Sequence, residues 1–188
     1  INLNNKNGLT NTIESVINQS FLDFEFLIID GGSEDGSIEI INKYAASIKY
    51  WITEPDSGIY NAMNKGIKNA KGEYLLFLNS GDELISKNVL KEIFLEKFSE
   101  DIVSGVVKIF SEAKNSFVFY YGPGSEDLTL SRLLRVSLNH QASFIRRRLF
   151  LELGMYDEKF SIVSDWIFFI KALILNNVSY RFLEKTVT

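Results

Sequence analysis

The chain has 188 residues, a hydrophobic share of 46% and fifteen phenylalanines, which is ample apolar material for the core of a single domain. Its formal net charge of −4 argues against nucleic acid as the main partner, because phosphate backbones select basic surfaces. The absence of cysteine excludes disulfides and thiolate metal sites, and with no signal peptide and no apolar run long enough to span a bilayer, the expected setting is soluble and cytoplasmic.

Asn7-Gly8 opens a helix whose apolar positions Leu9, Ile13, Val16 and Ile17 share one face. Residues 24–29 form the first clear strand, followed directly by the loop Asp30-Gly31-Gly32-Ser33-Glu34-Asp35-Gly36. A helix over 37–44 and a strand over 48–52 come next. Glu54-Pro55-Asp56-Ser57-Gly58 is a polar turn, since Pro fixes φ, Gly relaxes it and unpaired acids stay out of a core. Ile59, Met63 and Ile67 then recur at helical spacing, beside a small-residue stripe of Ala62, Gly66 and Ala70 that lets the helix lie close to a sheet. Lys71-Gly72 stops that helix, and residues 74–78 read as a strand covered on both faces.

The strand ends abruptly in Asn79-Ser80-Gly81-Asp82. Farther on, the pattern predicts a helix over 88–98, a strand over 102–109 and an antiparallel or edge strand over 117–121, ended by Gly122-Pro123-Gly124. Residues 125–139 read as irregular or weakly helical. A short strand over 141–145, a short helix over 147–153, an apolar helix over 164–176 and a strand over 180–183 complete the chain. Strands alternating with helices at the spacing of the first half imply parallel pairing with crossovers. Ile1 leads at once into loop-like residues and Val187-Thr188 stops in or just past a strand, so both ends read as cut.

Several positions invite chemistry. A carboxylate on a Gly-containing turn just past a buried strand is where an open α/β sheet places its ligands, which makes Asp82 the first suspect. It would hold a hard divalent cation bridging a diphosphate, or else simply cap a helix. In the 30–36 loop, Gly31-Gly32 allow close approach of a nucleotide and Asp30 would accept hydrogen bonds from base or ribose. An ordinary capped turn fits that loop equally well, and the G-x-G-x-x-G spacing of a dinucleotide site is absent. His140 is the only histidine, more often a structural residue than a catalyst when alone. Arg146-Arg147-Arg148 is most often a solvated patch, less often a clamp for phosphate or an anionic membrane surface. Asp165, opening an apolar helix beside Trp166, would be a cap or a base next to an aromatic platform, with Asp157 and Glu158 as rivals.

Taken together, these stretches resemble a known family. Asp30 to Ser37, Glu54-Pro55-Asp56-Ser57-Gly58-Ile59-Tyr60, Ala62 to Ile67, Gly72-Glu73-Tyr74 and Phe77 to Asp82 resemble the family 2 glycosyltransferases with the GT-A fold, in their bacterial polysaccharide-assembly branch. His140-Gln141-Ala142-Ser143-Phe144, Gly154 to Glu158 and Ser164-Asp165-Trp166 are similar to the acceptor half of that family. Its members begin with a buried strand, of which Ile1 would be the end.

The resemblance implies a single α/β domain of GT-A type over 1–188, with a mostly parallel central sheet flanked by helices and a small antiparallel part. Residues 1–109 would bind the nucleotide-sugar and 110–188 the acceptor. The implied reaction is inverting transfer from an NDP-sugar, UDP-linked in most relatives, to a hydroxyl of a glycan or lipid-linked acceptor in surface polysaccharide synthesis. Peripheral association with the inner face of the membrane would accompany it. Asp30 would hold the base and Asp56 would face the nucleoside or sugar. Gly31, Asn79, Ser80 and His140 would complete the donor contacts, and Asp165 would be the base. Asp82 would ligate Mg²⁺ or Mn²⁺. The metal motif is thinned here, with Asn79 and Gly81 where acids are usual, and Ser164 stands where many relatives carry a second acid. The alternatives are a nucleotide-sugar-binding domain without turnover and a sugar-phosphate nucleotidyltransferase. The absence of a Gly-rich, Lys/Arg-bearing loop near the start counts against the latter.

Overall fold

A computed structural model describes residues 1–111, 115–120, 122–124 and 128–188. The first half alternates strand and helix as the spacing predicts. Helix α1 (Lys6–Ile17) buries Leu9, Ile13 and Val16 and is capped by the Asn5 side chain. Strand β1 (Leu27–Asp30) is followed by α2 (Ser37–Lys43), a 3₁₀ turn (Ala45–Ser47) and β2 (Tyr50–Thr53). β1 and β2 pair in parallel, Leu27 opposite Tyr50 and Asp30 opposite Thr53, as a helical crossover requires. Helix α3 (Ile59–Asn69) starts at Gly58, whose φ of 127° is open only to glycine without strain. It buries Met63 and Ile67, and Gly66 brings it within van der Waals reach of Ile29.

Pairing in the rest of the molecule is more mixed than the spacing predicts. Only Tyr74–Leu75 of the 74–78 segment joins a ladder as β3, and it runs antiparallel to β6 (Ser143–Arg146). After α4 (Val89–Leu95), the long β4 (Ile102–Ser111) pairs antiparallel with both β5 (Ser116–Tyr120) and β6, and parallel with β7 (Tyr180–Thr186). The antiparallel part is thus larger than the small one expected. β6 reaches the sheet from the far end of a long connection, so no crossover helix forces it parallel. The expected end of the fifth strand at Tyr121, and Ser125, Glu126 and Asp127 of the irregular stretch, lie outside the described residues. Within 128–139, α5 (Leu130–Leu133) is a single turn.

Helix α6 (Arg147–Glu152) and α7 (Ser164–Ile170) close the second half, α7 passing into a π-helical turn (Lys171–Leu175) where one continuous helix is predicted. One buried cluster joins α3 to the second half through Tyr60, Met63, Ile67, Phe77, Phe150, Tyr156, Phe168 and Phe169. Its rings stack or meet edge to face, Phe150 on Phe168 at 4.5 Å and Phe77 on Tyr156 at 5.7 Å, a packing that favours one arrangement of the two halves. At the start of the chain, Ile1 and Asn2 lie between β1 and the 78–80 segment. The Asn2 amide donates to the Ile29 carbonyl, and the Ser80 amide to that of Ile1. Behind them a cavity of about 850 Å³ runs between the two segments, lined by apolar side chains such as Leu27, Met63, Leu75 and Phe77. Among the described residues, no helix is long and apolar enough to cross a membrane.

Candidate functional site

The polar residues singled out in the sequence lie at the ends of β1 and of the 74–78 segment, where Thr12 and Ser80 also border that cavity. Asp30 is wholly buried. Its Oδ1 accepts from Asn2 Nδ2 (2.7 Å) and Ser33 Oγ (2.6 Å). Its Oδ2 accepts from the amides of Gly32 (3.2 Å) and Ser33 (2.9 Å) and from Thr53 Oγ1 (2.6 Å). Burial alone would raise its pKa, but the bonds from Ser33 and Thr53 outweigh it and hold the carboxyl below its usual value. The carboxylate of Asp30, the residue expected to meet a base or ribose, is already engaged by five donors that hold the loop.

Against that loop lies a second acid, the half-buried Asp56 of the 54–58 turn. A Cβ on Gly31 would sit 2.5 Å from Asp56 Oδ2, so glycine there is what lets the Asp56 carboxylate approach. Asp56 Oδ1 accepts from the Gly58 amide at 2.9 Å, fixing the turn that starts α3.

Asn79 to Asp82 form the second edge of the site. The Asn79 amide donates to Asp82 Oδ2 at 2.8 Å, closing the turn. Thr12 of α1 steadies it, donating to the Asp82 carbonyl at 2.8 Å and accepting from the Gly81 amide at 2.9 Å. Asn5 Nδ2 donates to the Ser80 carbonyl at 2.8 Å. Burial raises the Asp82 pKa, and the Asn79 amide and the nearby His140 only partly offset it. Asn79 Oδ1 is buried without a hydrogen-bond partner. Among the described residues, no three acidic, His or Cys side chains cluster to hold a metal by themselves. One carboxylate and one unpaired amide oxygen do fit Mg²⁺ or Mn²⁺ shared with substrate phosphates, because magnesium is commonly held by one or two carboxylates, phosphates and water.

From this turn a line of contacts leads into the second half. Asn79 Nδ2 lies 3.3 Å from His140 Nε2, and His140 Nδ1 lies 2.9 Å from Asp165 Oδ2. The other oxygen of Asp165, Oδ1, accepts from the Tyr60 hydroxyl at 2.7 Å. Burial pushes the Asp165 pKa up, yet the bonds from His140 and Tyr60 win and keep it below the usual carboxylate range. Tyr60 itself is pushed up to about 12, first by burial and then by the neighbouring Asp165, so it remains a donor. Just before Asp165, Val163 sits in the left-handed region at φ 76°, a strained place for a β-branched residue.

The rivals of Asp165 are otherwise occupied. Glu158 accepts from Asn61 and Asn64 at 2.8 Å each, and Asp157 Oδ1 accepts from the Lys159 amide at 3.0 Å. The Trp166 indole N–H goes to the Leu133 carbonyl, tying α7 to α5. Arg146 and Arg148 pair with Glu73, Asp101 and Glu152, which makes them structural. Sequence reasoning passed over Tyr60 and Asn64. Their signal was two hydrogen-bonding side chains four residues apart, flanking Met63 on the buried face of α3.

The family model for "Glycosyl transferase family 2" matches residues 1–159. A PGL/p-HBAD biosynthesis glycosyltransferase of Mycobacterium bovis is 35% identical over 166 residues, 85% of this chain and 62% of that protein. The chain thus spans less than two thirds of that relative's length. The crystal structure of S. aureus TarS 1-349 in complex with UDP superposes with a TM-score of 0.77 at 22% identity, covering 100% of this chain and 58% of that one. The mannosyltransferase PcManGT from Pyrobaculum calidifontis, in complex with GDP-Man and Mn²⁺, does so at 0.69 and 14%, covering 98% and 54%. At these identities the structural likeness shows the fold, which is of GT-A type.

Proposed function

This chain belongs to glycosyl transferase family 2, and from that premise we propose that it carries the catalytic centre of an inverting transferase using a UDP-linked sugar. The observation that carries the reading is the unbroken line from Asp82 through Asn79 and His140 to Asp165, which joins a diphosphate-facing turn to a basic group. The nucleoside lies over the 30–36 loop, facing Asp56 across Gly31. The diphosphate lies over Asn79 and Ser80. TarS supports a uridine donor by its complex with UDP.

Asp82, with Asn79, would hold Mg²⁺ or Mn²⁺, which offsets charge on the leaving diphosphate. PcManGT supports this by its bound Mn²⁺. The acceptor hydroxyl attacks the anomeric carbon on the face opposite the diphosphate. The new C–O bond forms as the bond to the diphosphate breaks, UDP leaves with the electron pair, and the acceptor proton passes to Asp165. Among the described residues, Glu158 accepts from Asn61 and Asn64 and Asp157 from the Lys159 amide, and the reaction proposed is a single displacement with inversion. The acceptor class is a glycan or lipid-linked hydroxyl in surface polysaccharide synthesis, met at the inner face of the membrane.

The test is a panel of NDP-sugars offered with acceptors in Mg²⁺ or Mn²⁺. Acceptor-dependent UDP release with an inverted linkage supports the reading. UDP-sugar binding without product would make the chain a binding domain.

A further inference from the structure

We propose that Tyr60 is the positioning residue of the catalytic carboxylate, aiming Asp165 from the first turn of α3, directly after the turn that carries Asp56. This rests on the assignment of Asp165 as the base. Tyr60 is 6% exposed, and its hydroxyl reaches Asp165 Oδ1 at 2.7 Å across 105 residues of sequence. Its ring is fixed against Tyr156 at 5.5 Å, and Tyr156 packs in turn on Phe168, one helical turn beyond Asp165. The hydroxyl therefore has little freedom to turn elsewhere.

The neighbours of Tyr60 set it apart. Asn64, one turn later, donates to the Tyr156 carbonyl at 2.9 Å and accepts from its amide at 3.1 Å, and Asn61 holds Glu158. These two grip the second half through its structural turn, whereas Tyr60 alone among the three touches the base. Two residues before Tyr60, Gly58 donates to Asp56, the acid that faces Gly31. The donor-side and acceptor-side carboxylates are thus joined through one helical turn and a hydrogen bond. With Tyr60 on Oδ1 and His140 on Oδ2, the carboxylate plane is fixed, and the remaining lone pairs are all that an acceptor hydroxyl can reach.

The test is Tyr60→Phe, which keeps the ring and removes the hydroxyl. The expected result is a fall in kcat of about 10- to 100-fold with unchanged KM for the donor. The acidic limb of the pH–rate profile should move to higher pH, because Asp165 loses a bond that favours its ionised form. A ¹³C NMR titration of the Asp165 carboxyl, read without turnover, should show the same upward displacement. Asn64→Ala serves as the structural control, lowering the melting temperature while leaving that titration in place. An unmoved Asp165 titration in Tyr60→Phe, or wild-type kcat with an unmoved profile, overturns the proposal. Absence of transfer by the wild type on every donor would instead sink the proposed function. The NMR titration would then still decide whether Tyr60 sets the state of Asp165.

Discussion

His140 Nδ1 stands 2.9 Å from Asp165 Oδ2, and the opposite ring nitrogen faces Asn79 Nδ2 at 3.3 Å. One imidazole thus bridges the turn assigned to the diphosphate and the group assigned to the acceptor. A proton on Nδ1 would be directed at Asp165, and which of Nε2 and the Asn79 side chain donates follows from the ring's tautomer.

Replacing that carboxylate tests the bridge. Asp165→Asn should lower transfer by about 10²- to 10⁴-fold, the usual worth of general-base assistance. UDP affinity by calorimetry should hardly change, since the donor loop lies elsewhere. The Asp165 carboxyl itself, followed by ¹³C NMR, should stay largely ionised as pH falls to the ordinary carboxylate value of 3.8, because its pKa is lowered. Full transfer by Asp165→Asn, with Asp157→Asn inactive, would move the base to the earlier turn.

The two donor-side acids should separate cleanly. Asp30→Ala strands the donors of Asn2, Ser33 and Thr53, each costing about 1–3 kcal/mol when buried and unpaired, so its melting temperature should drop. The folded-state pKa of Asp30 is lowered, so its stabilising contribution is present above the unfolded value near 3.8 and is lost as pH falls through the lower folded value. Asp56→Asn should instead melt like the wild type and bind UDP about 1.5–3 kcal/mol more weakly. Equal UDP affinity in folded Asp56→Asn would remove that residue from the nucleoside site.

Asp82 predicts a metal dependence readable without turnover. Calorimetry of Mn²⁺ into protein with UDP should give binding that Asp82→Asn abolishes, the amide keeping the turn but losing the charge. Because burial raises the Asp82 pKa, the wild-type signal should fade while the pH is still above 3.8. Full activity of the wild type in EDTA would assign the diphosphate charge to other groups.

The strain at Val163 makes a prediction of opposite signs. A left-handed conformation costs a β-branched residue about 1–3 kcal/mol, and glycine recovers this less about 0.5–1 kcal/mol of chain entropy. Val163→Gly should therefore melt slightly higher and yet transfer more slowly, as the segment leading into Asp165 loosens. A variant both more stable and equally fast would show that the strain has no bearing on the base.

Much of this was legible without coordinates. The apolar periodicity of α1 and α3, the glycine at the start of α3, and the parallel β1–β2 unit with its crossover follow from interactions within about ten to twenty-five residues. Local spacing encodes these directly. The ordered motifs from Asp30 to Asp82 likewise identified the family. What only the tertiary structure decided is the employment of each acid. Asp30 is spent on donors from Asn2 and Thr53, Glu158 on Asn61 and Asn64, and Asp165 is left between His140 and Tyr60. The β6 pairings that enlarge the antiparallel part belong to the same class. A carboxylate's role depends on the sum of its burial and its hydrogen-bond donors, and here most of those donors come from segments more than twenty residues distant. No local pattern carries that sum, so the residue types are written in the chain while their division of labour appears only when it is folded.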